Sequence, residues 1–375
     1  MLKKIEYINI YSYINIYIMN TNDSMEVIFK KGKQYLNIKD VPNAIKCFND
    51  LAEKGHKNAI YNLGVIYLLG NGIEIDYEKS FGYFLRVAEM DDAEAQYVLA
   101  TSYIFGRGVQ KDNYKAFVWF ERSAKLGYAL SQYILGKNYE YGIGCEKNLK
   151  ESFNWYKIAA DNKHIDSIYI LGTFYMKGIG CEINYTECLK CFNFLLKYEY
   201  IPAFYNIGIL HLHGNGVDKD CKKAFTIFKY CASKGDTYSY HILGKCYHYG
   251  VGVNKNMFEA IKWYNLAIEK GFINTKKKLA ELYYDLGKYY YDNNVMVESI
   301  KWFGLSVKQG NTNASYILGR IYEDGVFINK NIDEACKWYT IAAENGHHAS
   351  LIHLSCLHLL NDDEIENPSK KIKRS

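Results

Sequence analysis

The sequence predicts an all-α protein, an α-solenoid of about nine antiparallel helix pairs followed by a C-terminal cap helix. Three observations predict this fold: a small residue recurs every 36 residues, two segments with helical hydrophobic periodicity flank a Gly-x-Gly loop in six repeats, and an Asp or Asn precedes the second segment. Apolar residues make up 49% of the 375-residue chain and charged residues 23%, which excludes an extensively disordered protein. The formal net charge of +5 is too small to indicate a nucleic-acid partner by itself.

A small residue, called here the small slot, marks each repeat, and Leu or Ile precedes it in every repeat but the first. Six slots are spaced at intervals of 36 residues: Gly64, Ala100, Gly136, Gly172, Gly208 and Gly244. The register extends outward to three further slots, Gly32, Gly287 and Gly319. This gives nine repeats between about residues 24 and 346, and a half repeat with Ser355 in the slot. Because Ala100 fills one slot, the position requires a small side chain inside a helix rather than a positive φ.

The helix boundaries within a repeat follow from its glycines and its capping residues. The first loop glycine, such as Gly142, can adopt the left-handed conformation that ends helix A, and the second, such as Gly144, also tolerates a positive φ. Asp and Asn side chains accept the free amides of a first helical turn, so helix B is expected to begin after Asp76, Asp112, Asn148, Asn184, Asp220, Asn256 and Asn331. Paired large residues on helix B, such as Trp155 and Tyr156, are expected to fill the gap to the neighbouring repeat.

The repeat motif reads L-[GA]-x-x-Y-x-x-G-x-G-V-x-x-[DN]-x-x-x-A-x-x-W-[FY]-x-x-A-A-x-x-G. At its period of 36 it resembles the Sel-1-like repeat, a relative of the tetratricopeptide repeat, over residues 56–271 and again over 311–346. The repeats at Gly32 and Gly287 lack the Gly-x-Gly loop and look more like tetratricopeptide repeats. The resemblance implies a right-handed α-solenoid that serves as an adaptor or scaffold, with a concave face lined mainly by helices A and with no catalytic residues.

The chain is accordingly divided into seven segments. These are a leader expected to be disordered (1–23), a short tetratricopeptide-like repeat (24–55), six Sel-1-like repeats (56–271), an irregular tetratricopeptide-like repeat (272–310), the last Sel-1-like repeat (311–346), a cap helix (347–360) and a polar basic tail (361–375). A signal peptide or membrane anchor is the alternative for the leader. A nuclear localisation patch is the alternative for the tail, because of its run Lys370-Lys371-Ile372-Lys373-Arg374.

The interval between the slots Gly244 and Gly287 is 43 residues, which is longer than the standard period. The excess is about two helical turns, so it preserves the buried face of a helix. Leu279, Ala280 and Tyr283 also match the standard register. Two alternatives follow: one long helix A over residues 273–291 that satisfies both registers, or a short irregular joint.

The ten cysteines occupy columns that small or apolar residues fill in other repeats, which predicts unpaired, buried thiols in a reducing compartment. Cys188 and Cys191 are closely spaced, but no second ligand pair lies at zinc-finger distance from them. The Gly-x-Gly loops follow helices rather than strands, which argues against dinucleotide binding. The sequence therefore predicts no enzyme, no cofactor and no metal site.

Two columns of helix A vary among the repeats, whereas the fold-defining columns recur. They lie one and five residues after the small slot, where residues that recognise a partner are expected. The candidate partner-binding residues mix basic side chains with aromatic ones, which are common interface anchors: Phe105, Lys137, Tyr141, Lys177, His213, Lys245 and Tyr249. In the alternative, the aromatic members simply pack against the next repeat.

The predicted function is a non-catalytic scaffold or adaptor that binds partner proteins or peptides on the concave face. An RNA-binding helical-repeat protein is the alternative, but it needs basic residues along the whole inner face, and the first variable column supplies only Lys137, Lys245 and Arg320. An enzyme is a third alternative that no group of residues supports. A cytoplasmic location is predicted, with a nuclear one as the alternative, and neither a nucleic acid nor a membrane is a predicted partner.

Overall fold

The computed structural model describes residues 24–70, 72–326 and 328–366, and its regular elements are α-helices. This part of the chain contains nineteen helices and no strand. The predicted all-α fold, with nine helix pairs and one further helix, is therefore confirmed.

The chain forms two compact units, the first ending at Cys191 and the second beginning at Phe192, inside helix α10 (Tyr185–Leu196). The other helices of the first unit are α1 (Ser24–Asn37), α2 (Val41–Glu53), α3 (Lys57–Leu69), α4 (Tyr77–Ala88), α5 (Ala93–Phe105), α6 (Asn113–Lys125), α7 (Ala129–Tyr141), α8 (Leu149–Asp161) and α9 (Ile165–Lys177). Those of the second unit are α11 (Ile201–His213), α12 (Cys221–Ser233), α13 (Thr237–Tyr249), α14 (Met257–Glu269), α15 (Thr275–Asp292), α16 (Met296–Lys308), α17 (Thr312–Asp324), α18 (Ile332–Glu344) and α19 (His348–Glu366).

Odd-numbered helices from α1 to α17 are helices A of the nine repeats, and even-numbered helices are helices B. In the first unit each helix from α1 to α9 packs against the next one along the chain, and in the second unit the helices from α11 to α19 do the same. Consecutive packing of helix pairs, in which a repeat contacts only its neighbours, is the packing of an α-solenoid.

The predicted capping residues begin helix B at all seven predicted positions, in the six repeats with a Gly-x-Gly loop and in the Gly319 repeat, where Phe327 replaces the second loop glycine. Their side chains accept the backbone amide three residues later, over 2.9 to 3.1 Å, in the pairs Asp76–Lys79, Asp112–Lys115, Asn148–Glu151, Asn184–Glu187, Asp220–Lys223, Asn256–Glu259 and Asn331–Glu334. A cap of this kind contributes about 1 kcal/mol. At the other side of the loop Gly142 ends α7 in the left-handed conformation, with φ of 72° and ψ of 42°.

The small slot of helix A receives an aromatic ring from helix B of the same repeat. A Cβ atom built on Gly136 would lie 2.8 Å from Cδ1 of Tyr156, and one built on Gly64 would lie 3.1 Å from Cε2 of Phe84. Tyr156 is fully buried there. The Tyr156 ring also meets the ring of Phe174 on α9, in the next repeat, edge-on with the centroids 5.4 Å apart. The expectation that the large pair on helix B fills the gap to the neighbouring repeat therefore holds for Tyr156, which fills the space beside the slot of its own repeat as well. The slot must be small because the ring occupies the space of a side chain.

Other residues join successive repeats. The ring of Phe117 on α6 meets the ring of Tyr139 on α7 edge-on, with the centroids 5.4 Å apart. The same contact recurs between Phe81 and Tyr103, Phe153 and Tyr175, and Phe225 and Tyr247. The second loop glycine adds a backbone contact: Gly144 lies so close to the carbonyl of Asn113, at the start of α6, that any Cβ atom would collide with it. The second loop glycine packs in this way onto the start of the preceding helix B at Gly108, Gly144, Gly180 and Gly252.

Helix α15 decides between the two alternatives for the long interval. It is a single helix of 18 residues, whereas each helix A that precedes a Gly-x-Gly loop has 13. Ala280 is buried, as the standard register predicts. Leu286 and Gly287, which belong to the register that places the slot at Gly287, are also buried. The long helix that satisfies both registers is therefore confirmed, with bounds of 275–292 instead of 273–291.

The C-terminal helix α19 is longer than the predicted cap helix, which ended at residue 360. Residues 361–366, which were assigned to the polar tail, are helical. Polar residues do not stop a helix by themselves, whereas a helix usually ends at or before the residue that precedes a proline, here Pro368. The leader 1–23 and the basic run 370–374 lie outside the described residues.

Candidate partner-binding surface

The two variable columns lie on one face of each helix A, called here the variable face. Residues one and five positions after the small slot are four apart, and such residues are neighbours on a helix surface. In α7 the slot Gly136 and Asn138 are buried. Lys137 is half-buried and Tyr141 is exposed. The packing of the repeat therefore leaves the variable face open.

Four predicted residues lie in the first unit: Phe105 on α5, Lys137 and Tyr141 on α7, and Lys177 on α9. Phe105, Tyr141 and Lys177 are each the last residue of a helix, and all three are exposed. The guanidinium of Arg107 lies over the Phe105 ring, 4.9 Å from its centroid. A hydrogen bond to Glu140 raises the pKa of the Tyr141 phenol, so this hydroxyl remains protonated and able to donate at neutral pH.

Three predicted residues lie in the second unit: His213 at the end of α11, and Lys245 and Tyr249 on α13. His213 and Tyr249 are exposed, and Lys245 is half-buried. The Tyr249 ring stacks on the ring of His248, with centroids 4.2 Å apart and an interplanar angle of 16°. His248 is held in turn by Asp285 on α15, whose Oδ2 lies 3.0 Å from its Nε2. Tyr249 is therefore an exposed aromatic side chain that stacks on a buried histidine, and Asp285 fixes the position of that histidine.

Lys278 on α15 belongs to the same surface and was missed from the sequence. Its ammonium lies 2.6 Å from Oε2 of Glu281. This bond is the main reason that the pKa of Lys278 is raised, and Tyr249 raises it further. Burial lowers the pKa of His241, and Lys245 and Lys278 lower it further, so two ammonium groups act on the same imidazole. The surface between α13 and α15 therefore carries Lys245 and Lys278 beside Tyr249, with Glu281 paired to Lys278.

The aromatic residues of the variable face are not covered by the next repeat. The exposed fractions are 51% for Phe105, 62% for Tyr141 and 52% for Tyr249. The alternative that these side chains serve only to pack against the neighbouring repeat does not account for such exposure. Exposed aromatic side chains beside lysines are instead typical of a surface that binds a partner.

Comparison with known families agrees with the helix pairs described above. The model of the Sel1 repeat matches seven segments of the chain, which together make up more than half of it: 57–92, 93–128, 129–164, 165–193, 202–236, 237–272 and 312–347. The chain belongs to the Sel1 repeat family. The predicted set of six consecutive repeats and one later repeat is therefore confirmed as Sel1 repeats.

Two solved structures are similar to this Sel1 repeat protein. A protective antigen of uropathogenic Escherichia coli that displays an SLR fold is 27% identical, with a TM-score of 0.67, over 88% of this chain and 71% of that chain. A Sel1 repeat protein from Oxalobacter formigenes is 26% identical, with a TM-score of 0.49, over 76% of this chain and 96% of that chain. No curated protein matches the chain. Sel1 repeats typically act as protein-interaction scaffolds, and the family is generally non-enzymatic.

The Sel1 repeat columns explain the cysteines. Burial raises the pKa of Cys188 to about 12 and that of Cys191 to about 11, so neither thiol ionises readily at neutral pH. Within the described ranges, no three His, Cys, Asp or Glu side chains form a group that could hold a metal ion. None of the helices searched in the same residues combines the length and the apolar character that crossing a membrane requires.

Proposed function

We propose that this Sel1 repeat protein is a non-catalytic scaffold whose variable faces bind partner proteins or peptides. The observation that carries the proposal is the exposure of Phe105, Tyr141 and Tyr249 at positions where the fold requires no aromatic residue. A residue that maintains the repeat would be buried or would recur in its column. These three side chains are exposed, and other repeats carry Leu69, Lys177, His213 or Asp324 in the same column, so the repeat does not require an aromatic residue there.

The chemistry of the variable faces defines the partner. In the first unit Tyr141 and Lys137 lie one helical turn apart on α7, and in the second unit Tyr249 and Lys245 repeat that arrangement on α13. Lys278 adds a second ammonium group near Lys245. A ligand with apolar anchors and some negative charge, such as an extended peptide or one face of a helix, complements each patch.

RNA binding is less well supported than protein binding. Phosphate contacts along a strand require cationic groups that are free in successive repeats. Of the three basic residues in the first variable column, Arg320 is paired with Asp324 over 3.1 Å. A filter-binding assay with random RNA at two salt concentrations tests this alternative, and tight, strongly salt-dependent retention of RNA would favour it over the scaffold.

The experiment that tests the scaffold starts with affinity capture and mass spectrometry, followed by binding measurements on the purified partner. Tyr141→Ala and Tyr249→Ala are each expected to weaken binding by about 2 kcal/mol where the tyrosine is a hot spot. Tyr114→Ala is the matched control, because Tyr114 is 67% exposed but lies on helix B. Lys137→Glu should mainly slow association and change its salt dependence. Unchanged affinity in all three variable-face substitutions would show that the partner binds elsewhere.

The same proposal includes two further points. The protein has no enzymatic role, and it is located in a reducing, cytoplasmic compartment. The ten cysteines are unpaired, which supports the compartment because free thiols persist where disulfides do not form. A nuclear location through the basic run 370–374 remains the alternative. Imaging of the full chain beside a chain with Lys370, Lys371 and Lys373 replaced by Ala separates the two locations.

A further inference from the structure

A second surface, away from the variable faces, lies in the first unit at the edge formed by the loops. A cavity of about 810 Å³ opens there between the loop of the Gly64 repeat and the loop of the Ala100 repeat. Its apolar wall consists of Ile45 from α2, Tyr67 from α3, and Ile73, Ile75 and Tyr77 around the start of α4. The cavity is large enough to receive one or two side chains of a partner.

Ile75 shows that this wall is not a requirement of the fold. Four of the six repeats with a Gly-x-Gly loop carry a lysine in the column of Ile75, namely Lys111, Lys147, Lys219 and Lys255, and the Gly319 repeat carries Lys330 there. In the Gly136 repeat the lysine approaches the first loop glycine through its Cβ atom. Any residue with a Cβ atom would make the same approach, so this contact does not require a lysine. Ile75 nevertheless places an aliphatic side chain that is 52% exposed on the wall of the cavity.

The charges around the cavity identify the kind of partner. Three carboxylates and one ammonium line it, namely those of Glu74, Asp76, Glu78 and Lys79. Lys79 is neutralised by Asp76, with 3.0 Å between Nζ and Oδ2. Neither Glu74 nor Glu78 forms an ion pair with any residue in the described part of the chain. The replacement of the recurring lysine by Ile75 also removes a positive charge from this loop.

One further cation approaches the cavity from the neighbouring loop. The guanidinium of Arg107 lies 5.8 Å from the centroid of the Tyr77 ring and 4.9 Å from that of Phe105. It therefore covers the outer side of Tyr77 and is engaged with two rings. Glu74 and Glu78 remain as the two carboxylates beside the apolar wall.

From this complementarity we infer that the cavity is a docking site for a flexible segment of a partner protein, in which an aliphatic side chain is flanked by lysine or arginine residues. The aliphatic side chain inserts against Ile75, Ile73 and Tyr77. The flanking cations lie over Glu74 and Glu78. This ligand is opposite in charge to the one proposed for the variable faces, so the scaffold carries two surfaces with different partners.

The test measures fluorescence anisotropy of a labelled probe peptide of sequence SGKRLKGS with the full chain. Two matched peptides serve as controls. SGEELEGS reverses the charge, and SGKRGKGS removes the aliphatic side chain. Only SGKRLKGS is expected to bind. Its affinity should fall with rising salt, because the contacts of its cations with Glu74 and Glu78 are exposed to solvent. Ile75→Lys and Ile75→Ser should each weaken binding about tenfold or more, the second without any added charge.

The loop of the Gly172 repeat supplies the control variants. Ile183 and Glu182 occupy the columns of Ile75 and Glu74, and Ile183 is 56% exposed, but neither lines the cavity. The double variant Ile183→Lys/Glu182→Gln should bind SGKRLKGS with unchanged affinity. The double variant Ile75→Lys/Glu74→Gln should lose this binding. Helicity and melting temperature should be equal in both pairs, because lysine occurs in this column in other repeats.

Four results overturn the inference. The first three are no saturable binding of SGKRLKGS, equal binding of SGEELEGS, and equal loss of binding in the Ile183 control pair. A fourth is sedimentation of the unmodified chain as a dimer that Ile75→Lys converts to a monomer, because the occupant is then a second copy of this chain.

Discussion

The hydroxyl of Tyr156 donates a hydrogen bond to Oε2 of Glu140 over 2.8 Å, and this bond joins helix B to helix A inside one repeat. The same bond joins Tyr339 to Glu323 in the last Sel1 repeat. Where helix B carries Phe in this position, the facing helix A residue is apolar, as in the pairs Phe84 with Leu68, Phe120 with Ile104 and Phe228 with Leu212. In these five repeats the two columns change together, because a buried hydroxyl favours an acceptor and a phenyl ring needs none. The Gly244 repeat departs from this pattern: Tyr264 faces His248, and its buried hydroxyl has no hydrogen-bond partner among the described residues.

A double-mutant cycle tests this coupling. Glu140→Leu should destabilise the protein by about 1–3 kcal/mol, since it leaves the buried Tyr156 hydroxyl without its acceptor. Tyr156→Phe should cost about 1 kcal/mol. The double variant reproduces the Phe–Leu pair of other repeats and should be more stable than the Glu140→Leu variant. Urea unfolding gives the three free energies, and strictly additive effects would show that the two columns are independent.

The two glycines of a loop should differ in their tolerance of substitution. Gly142 and Gly144 both have a φ of 72°, so a β-branched residue at either position is strained. Around Gly142 a Cβ atom would find ordinary contacts at 3.5 Å, so Gly142→Val should cost about 1–3 kcal/mol from backbone strain alone. At Gly144 the Cβ atom would also collide with the Asn113 carbonyl.

Gly144→Ala should therefore be more destabilising than Gly142→Ala, although the two glycines have the same φ. Melting temperatures of the two alanine variants decide the point. Equal melting temperatures would mean that the contact between the loop and α6 contributes nothing to stability.

Most of the fold could be predicted from the sequence because its determinants are local and recur. Asn148 caps α8 and Gly142 ends α7 through interactions within a few residues of each position, and other repeats show the same residues at the same spacing. A local pattern repeated six or seven times specifies the helix boundaries without any knowledge of the tertiary structure.

Contacts between helices were harder to predict. The sequence places Tyr156 in a large-residue column but does not tell whether its ring turns toward its own repeat or the next one. In the structure the ring contacts both, Gly136 of its own repeat and Phe174 of the next one. Lys278 was missed for a related reason: it lies in α15, whose register had two solutions, and its approach to Tyr249 follows from the longer helix.

Exposure of the cysteines predicts an order of modification. Cys356 is exposed, whereas Cys188, Cys231 and Cys246 are buried. Burial raises the pKa of Cys231 and of Cys246 to about 11, so both access and the thiolate fraction are low in the native protein. N-ethylmaleimide followed by peptide mass spectrometry should find Cys356 modified first and these three last. Cys356→Ser should remove the fastest phase, and modification of Cys188 before Cys356 would contradict the packing of α10.

The cap of α9 predicts a pH dependence of stability. Nδ1 of His164 accepts the backbone amide of Ser167 at 3.3 Å, so the neutral ring carries its proton on Nε2. Burial lowers the pKa of His164 in the folded state, and Asp166 offsets this in part. A lowered folded pKa means that the folded state binds the proton less readily than the unfolded chain, whose histidine pKa is about 6.5. The stabilising contribution of His164 is therefore complete above about pH 6.5 and is lost as the pH falls toward the folded value.

His164→Asn should separate this contribution from that of other titrating groups. Asparagine at the cap still accepts the Ser167 amide but does not titrate, so stability at pH 7.5 should change by less than about 1 kcal/mol. Between pH 7.5 and pH 5.5 the unfolding free energy of the natural chain should fall more steeply than that of the variant. His241, whose pKa burial also lowers, is present in both chains and cancels in the comparison. Parallel pH profiles from urea unfolding would mean that protonated His164 is accommodated without loss of the cap.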